Sequence, residues 1–209
     1  MKGYGFYIDS SACSGCKTCQ VACKDKNNLP VGVLFRRVYE ICGADWRVND
    51  EGAWIPDVVA YHLSISCNHC ENPLCVAACP TRALQSGADG IVTIDPQRCI
   101  GCRYCEWACP YGAPQFNLKT GIMLKCDFCV DYLREGKPPV CVSACPMRAL
   151  DFGRMDELLA RYGTERGVFP LPDQTLTQPS LVITPHPGTA AAEPLGAAIV
   201  NREEVKHER

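Results

Sequence analysis

Seventeen of the 209 residues are cysteine, and sixteen of these fall into four tight groups. The first, CSGCKTCQVAC, carries Cys13, Cys16, Cys19 and Cys23. The second, CNHCENPLCVAACP, carries Cys67, Cys70, Cys75 and Cys79, and the third, CIGCRYCEWACP, carries Cys99, Cys102, Cys105 and Cys109. The fourth opens with CDFC and closes with CVSACP, giving Cys126, Cys129, Cys141 and Cys145. Thiolates this dense serve disulfide frameworks, zinc sites or iron–sulfur clusters. Disulfides belong mainly to short chains that cannot bury a core, and they staple distant loops rather than gather in groups. Zinc takes two C-x2-C pairs separated by a longer loop. A third cysteine three positions after the second, and a fourth four further on, do not suit one tetrahedral ion. Groups one and three instead have the spacing C-x2-C-x2-C-x3-C, the ligand run of bacterial two-cluster ferredoxins.

The geometry behind that spacing is simple. Three cysteines at intervals of three curl a loop around one face of a cube, and the fourth leaves the loop to reach the neighbouring cube. Gly15 and Gly101 occupy the same place in their loops, where a residue without Cβ takes positive φ or allows a close approach. Pro80, Pro110 and Pro146 follow the last cysteine of groups two, three and four, each ending a short helical turn without leaving a spare N–H. The segment between groups two and three, TRALQSGADGIVTIDPQR, has the length that joins the halves of a two-cluster ferredoxin. It reads as a helical turn, a Gly-rich turn and a strand. These two groups therefore form one module, in which Cys67, Cys70, Cys75 and Cys109 hold one cube and Cys79, Cys99, Cys102 and Cys105 another. Groups one and four are left as partners in a second module. There Cys13, Cys16, Cys19 and Cys145 hold one cube and Cys23, Cys126, Cys129 and Cys141 the other. GFYID before group one and RALDFG after group four are its outer strands.

The expected fold is α+β, with two bacterial-ferredoxin-like modules, one inserted in the other. Residues 1–57 and 118–163 form the outer module and residues 58–117 the inserted one. VLFRRVY and VVAYHLSIS read as linking strands separated by the polar stretch GADWRVNDEGAW. GRMDELLARYG reads as a short amphipathic helix with Leu158, Leu159 and Tyr162 near one face. Residues 164–209, rich in Pro, Thr and Ala, have no periodicity and no core of their own. They are expected to be either disordered or an extended strap laid over something larger.

Cys42 lies outside every group and reads as a buried free thiol. Arg36 and Arg37 either pair with cluster charge or a partner, or are solvated. His62 and His69 have structural or supporting roles, because Rieske ligation needs two His per cluster and each cube already has four cysteines. Tyr104, Trp107 and Phe128 sit inside cysteine loops, where large rings exclude water, and a dry shell shifts reduction potential. Lys17, Lys24, Arg103 and Lys125 stand beside ligands and offset negative charge.

The formal charge is −2. Each cubane with four thiolates carries about −2, and four of them take the holoprotein to roughly −10, which disfavours nucleic acid as a partner. No apolar h-region opens the sequence, so no signal peptide is expected. No run of about 18 apolar residues provides a direct membrane span. No nucleophile–base pair or phosphate loop appears, so the chain is read as an electron carrier and not as a catalyst on its own. The reading from a different class is a zinc-ordered interaction module.

The sequence resembles the iron–sulfur subunit of anaerobic dimethyl sulfoxide reductase, within the four-cluster subunits of molybdopterin oxidoreductases. The resemblance covers essentially the whole chain. It rests on GFYIDSSACSGCKTCQVACKDKN, FRRVYE, GADW, LSISCNHCENPLC, CIGCRYCEWACPYGAPQFN and PVCVSACPMRALDFG, with PLP and SLVITP in the tail. It implies four [4Fe-4S] clusters on the sixteen cysteines, Cys102 among them where some relatives carry a Trp. It also implies two partners, a molybdopterin-containing catalytic subunit and a membrane anchor that oxidises menaquinol. The complex would face the periplasm after co-export with the catalytic subunit. Polysulfide, tetrathionate, selenate and formate enzymes use similar subunits.

Overall fold

A computed structural model describes residues 3–205. Strand β1 (Tyr4–Asp9) leads through the first cysteine loop into helix α1 (Thr18–Lys26). Two long strands follow, β2 (Arg37–Val48) and β3 (Trp54–Ile65). The centre of the chain uses short elements only: α2 (Leu74–Ala77), β4 (Leu84–Ser86), β5 (Val92–Ile94), α3 (Tyr104–Ala108), β6 (Gln115–Asn117), β7 (Ile122–Leu124), α4 (Val130–Arg134) and α5 (Val140–Ser143). Then come β8 (Leu150–Arg154) and α6 (Met155–Tyr162), and in the tail β9 (Leu181–Thr184), α7 (Thr189–Ala192), β10 (Ala198–Ile199) and α8 (Arg202–Val205).

GFYID and RALDFG do meet. β1 and β8 pair antiparallel, with Phe6 opposite Phe152. On the other edge of β1 lies β9, parallel, with Tyr7 opposite Val182. The tail is therefore structured on its own chain, and the something larger beneath it is this protein. Leu181, Val182 and Ile183 are almost fully buried, so the tail has no core of its own but fills one supplied by β1. α6 packs beside it, and the Tyr162 ring stacks on Tyr7 with centroids 3.6 Å apart. Phe128 is the hub of the main core. It is fully buried, stacked 4.2 Å from Phe6 and met edge-on by the His69 ring at 5.2 Å.

Several expectations change. GADWRV and WIPD are not a polar loop but the outer half of a twelve-pair hairpin whose turn lies between Val48 and Trp54. The boundary at 57/58 therefore falls inside β3. The boundary at 117/118 falls inside the β6–β7 hairpin, in which Asn117 pairs with Ile122. TRALQ supplies strand β4, paired with β5, and not a helical turn. Cys42 is exposed and not buried.

Side chains alternate across a strand, so one face of this ribbon can be read from its register. Val38 and Ser64 stand at its root. Outward come Glu40 opposite His62, Cys42 opposite Ala60, Ala44 opposite Val58, Trp46 opposite Pro56 and Val48 opposite Trp54. From Cys42 to Trp54 every residue on this face is apolar and exposed. The opposite face, with Ile41, Gly43, Val59 and Tyr61, is buried where the tail crosses it. Ala197 lies against Gly43 and Gly188 against Val59.

Candidate metal centres

The C-x2-C pairs that open the four groups share one backbone device. The residue before the second cysteine is left-handed in all four: Gly15 (φ 70°), His69 (φ 43°), Gly101 (φ 68°) and Phe128 (φ 65°). Glycine adopts this at no steric cost, whereas a ring-bearing residue there is uncommon and marks strain at a functional loop. Groups two and four accept the strain because their rings fill the interior where His69 meets Phe128. Aligning CNHC and CDFC with CSGC and CIGC would have exposed this repeat, which the spacing argument passed over. The helical turns behave as the prolines require, since α2, α3 and α5 all end just before their Cys-Pro.

Cys13, Cys16, Cys19 and Cys145 line one cavity, together with Val38, Ser64 and Met147. Cys79, Cys99, Cys102 and Cys105 line another, together with Leu84, Ile94 and Met123. The other eight cysteines crowd in two further quartets. Burial, then the neighbouring Cys67 and Cys109 thiolates, push Cys70 up to about 12. The same causes raise Cys75. Burial, then Cys141, push Cys23 up to about 12, and Cys129 adds to this. Cys126 is raised well above the usual range by burial, then by Cys23 and Cys67.

Each quartet adjoins the next. Cys19 and Cys141 are electrostatic neighbours, as are Cys126 and Cys67, and Cys75 packs in one apolar cluster with Cys105. Among the described residues, no group of three or more His, Cys, Asp or Glu side chains is gathered for a single metal ion.

The donors around the quartets fit an anionic, sulfur-rich occupant. Thr18 Oγ1 donates to Cys16 Sγ at 3.3 Å, and this hydroxyl holds the Cys16 thiol below its usual range. The backbone N–H of Met123 donates to Cys99 Sγ, and that of Phe128 to Cys126 Sγ, both at 3.4 Å. Four buried side-chain atoms lack a partner among the described residues: Arg36 Nε, Arg37 Nε, Asn68 Nδ2 and His69 Nε2. His69 Nδ1 accepts the Val92 N–H at 3.0 Å, so the ring proton lies on Nε2 and all four orphans are donors. Buried donors are ordinarily paired. A set of orphans among thiolate quartets calls for an acceptor that the chain itself does not provide.

The cations expected beside ligands divide into two kinds. Lys17 is paired with Glu40 and Glu204, and Arg103 with Glu106. Lys24 donates to the Pro30 and Val33 carbonyls. Lys125 is buried and donates to the Val92 and Cys126 carbonyls. Arg36 and Arg37 are both buried, not solvated, and Arg37 donates to the Tyr111 carbonyl at 2.8 Å. His62 lies against the first cysteine loop, where a Cβ on Gly15 would meet its ring. Of the rings expected to keep water out, Phe128 does so. Tyr104 and Trp107 do not, being 52% and 68% exposed, because they sit on the outer side of α3 and pack on each other.

Comparison with known proteins agrees with this arrangement. Residues 58–155 match the family model of the 4Fe-4S dicluster domain, so the chain of mixed α+β architecture contains a ferredoxin-like dicluster domain. The B subunit of the anaerobic dimethyl sulfoxide reductase of Escherichia coli is 52% identical over 97% of this chain and 98% of its own length. Its counterpart in Haemophilus influenzae is 50% identical over 89% of this chain and 91% of its own. A thiosulfate reductase electron transfer subunit of Salmonella typhi is 44% identical over 74% of this chain and 77% of its own. The chain belongs to the family of iron–sulfur B subunits of anaerobic dimethyl sulfoxide reductases. Among the described residues no helix is long and apolar enough to cross a membrane.

Proposed function

We propose that the sixteen grouped cysteines hold four [4Fe-4S] clusters, and that the chain relays electrons between a quinol-oxidising membrane anchor and a molybdopterin catalytic subunit reducing dimethyl sulfoxide or a similar S- or N-oxide. The ligand sets are Cys13, Cys16, Cys19 and Cys145; Cys23, Cys126, Cys129 and Cys141; Cys67, Cys70, Cys75 and Cys109; and Cys79, Cys99, Cys102 and Cys105. The observation that carries this reading is 52% identity over 97% of the chain to the B subunit of an anaerobic dimethyl sulfoxide reductase, and the cluster-ligand spacing of the sixteen grouped cysteines supports it. The architecture proposed is two dicluster modules, one within the other, with their limits moved off β3 and the β6–β7 hairpin.

When bound, the clusters supply one-electron carriers. The chain's residues hold them, keep water away and surround them with N–H and O–H donors, which favours the reduced, more negative state. The chain is a carrier within a larger reductase and does not itself transform the substrate. A docked catalytic subunit is supported by the hairpin, because the face whose root (Val38, Ser64) walls the first cavity continues outward as exposed apolar surface. Location on the periplasmic side after co-export is part of the same proposal.

After anaerobic purification we expect about sixteen iron and sixteen acid-labile sulfide per chain, without stoichiometric zinc. Zinc without sulfide would move the protein to the interaction-module class. The co-purified complex, assayed with reduced viologen, should reduce dimethyl sulfoxide in preference to thiosulfate, tetrathionate, polysulfide or formate controls. The thiosulfate reductase subunit at 44% identity makes a sulfur-compound reductase the second reading. Turnover of those controls alone would favour it.

A further inference from the structure

Arg36 is 1% exposed, and among the described residues no carboxylate pairs with it. Its Nη1 donates to the Ser64 carbonyl at 3.2 Å, its Nη2 to Cys141 Sγ at 3.4 Å, and its guanidinium lies 4.5 Å over the Phe6 ring. Nε has no partner. The titratable groups nearest to it are all cysteines: Cys141, Cys19, Cys126 and Cys23. Cys19 lines the first cavity, while the other three belong to the quartet beside it. An ion taken out of water without a counter-ion is strongly destabilising, and a guanidinium cannot escape by losing its proton. Its counter-charge must therefore come from what the two quartets hold.

We propose that Arg36 is a fixed cation shared by the first two clusters, raising the reduction potential of both while leaving the other two largely untouched. The inference rests on the reading that the quartets hold cubanes. A cation between two acceptors stabilises an added electron on either one. It also weakens the repulsion that a first electron exerts on a second. Arg36 is almost fully buried with its guanidinium over the Phe6 ring, so screening is small, and its effect falls mainly on the two sets whose sulfurs stand nearest to it. Lysine would keep the charge but lose the planar fork that reaches both Ser64 and Cys141.

The test uses the assembled complex, purified anaerobically with native Arg36, Arg36→Lys and Arg36→Gln. Iron and sulfide are counted first, and the clusters are then titrated with potential and followed by electron paramagnetic resonance. In Arg36→Gln with all sixteen iron retained, two of the four couples should move to lower potential and two should stay. Arg36→Lys should move the same two couples by less. Full iron with all four couples unmoved, or all four moved together, would overturn the inference. So would a lysine variant that shifts as far as the glutamine one. If Arg36→Gln loses iron, Arg36→Lys decides. Retained clusters with near-native couples support the shared cation, whereas iron loss there makes Arg36 a packing residue. Fewer than sixteen iron in the native complex would instead count against the four-cluster reading itself.

Discussion

Gly101 shows how little room the cysteine loops leave. Its φ is +68°, and a Cβ built there would stand 2.1 Å from the Gly121 carbonyl oxygen. That oxygen is backbone and cannot swing aside. Gly101→Ala should cost at least about 2 kcal/mol from left-handed strain and overlap together. The expected readout is a lower thermal midpoint and loss of about four of sixteen iron, those of the Cys79, Cys99, Cys102 and Cys105 set. Cys102→Ser at the same loop should be milder. Three sulfurs keep their grip while one corner is lost, so a three-iron signal should appear in the oxidised protein with the other clusters unchanged. Four unaltered clusters in that variant would break the ligand assignment. The place of Cys102 was legible because cluster spacing is local: three residues of chain set one edge of the site. The exposure of Cys42 was not, because a strand's phase is decided by what covers each face. Glu40, two residues earlier on the same face, was the available sign that this face meets water.

Among the elements, the β2–β3 hairpin departs most from expectation. Its inner half alternates as a strand between core and solvent should. In its outer half both faces reach the solvent, Asp45, Arg47 and Asp57 opposing the apolar one, and alternation in burial vanishes although backbone pairing continues for twelve residues. Polar composition was read as a loop for that reason. β9 escaped for the opposite reason. Four residues amid prolines carry no period, and only pairing with β1 makes LVIT a strand. Trp46 and Trp54 are 60% and 67% exposed, so replacing both with serine should change stability by no more than about 0.5 kcal/mol each. Recovery of the large subunit in a pull-down should nevertheless fall at least tenfold, while iron content holds. Undiminished recovery would remove the hairpin from the interface.

On the scale of the whole molecule, β1 is held between strands from the far end of the chain, β8 on one edge and β9 on the other. Tyr7 and Thr184 hydroxyls meet at 2.7 Å across 177 positions. Lys17, inside the first cysteine loop, is clasped by Glu204 of α8, which also accepts from Gln20 at 3.0 Å. Deleting residues 164–209 strips Leu181, Val182 and Ile183 from the core. At roughly 1.5–3 kcal/mol for each buried side chain, the loss rivals the 5–15 kcal/mol stability of a whole domain. The truncated protein should be insoluble or iron-poor, as judged by fractionation and iron analysis. The same closure also runs on a clock. The two quartets drawn from Cys67 to Cys109 have all their ligands while the C-terminal half is still being made. The N-terminal quartet emerges first from the ribosome yet waits for Cys145, then for β9, then for Glu204. At about 5–20 residues per second, the oldest cysteines in each new molecule stay open for roughly ten seconds or more. A nascent chain halted after Cys109 thus carries both inner ligand sets whole, beside an N-terminal set that still lacks Cys145.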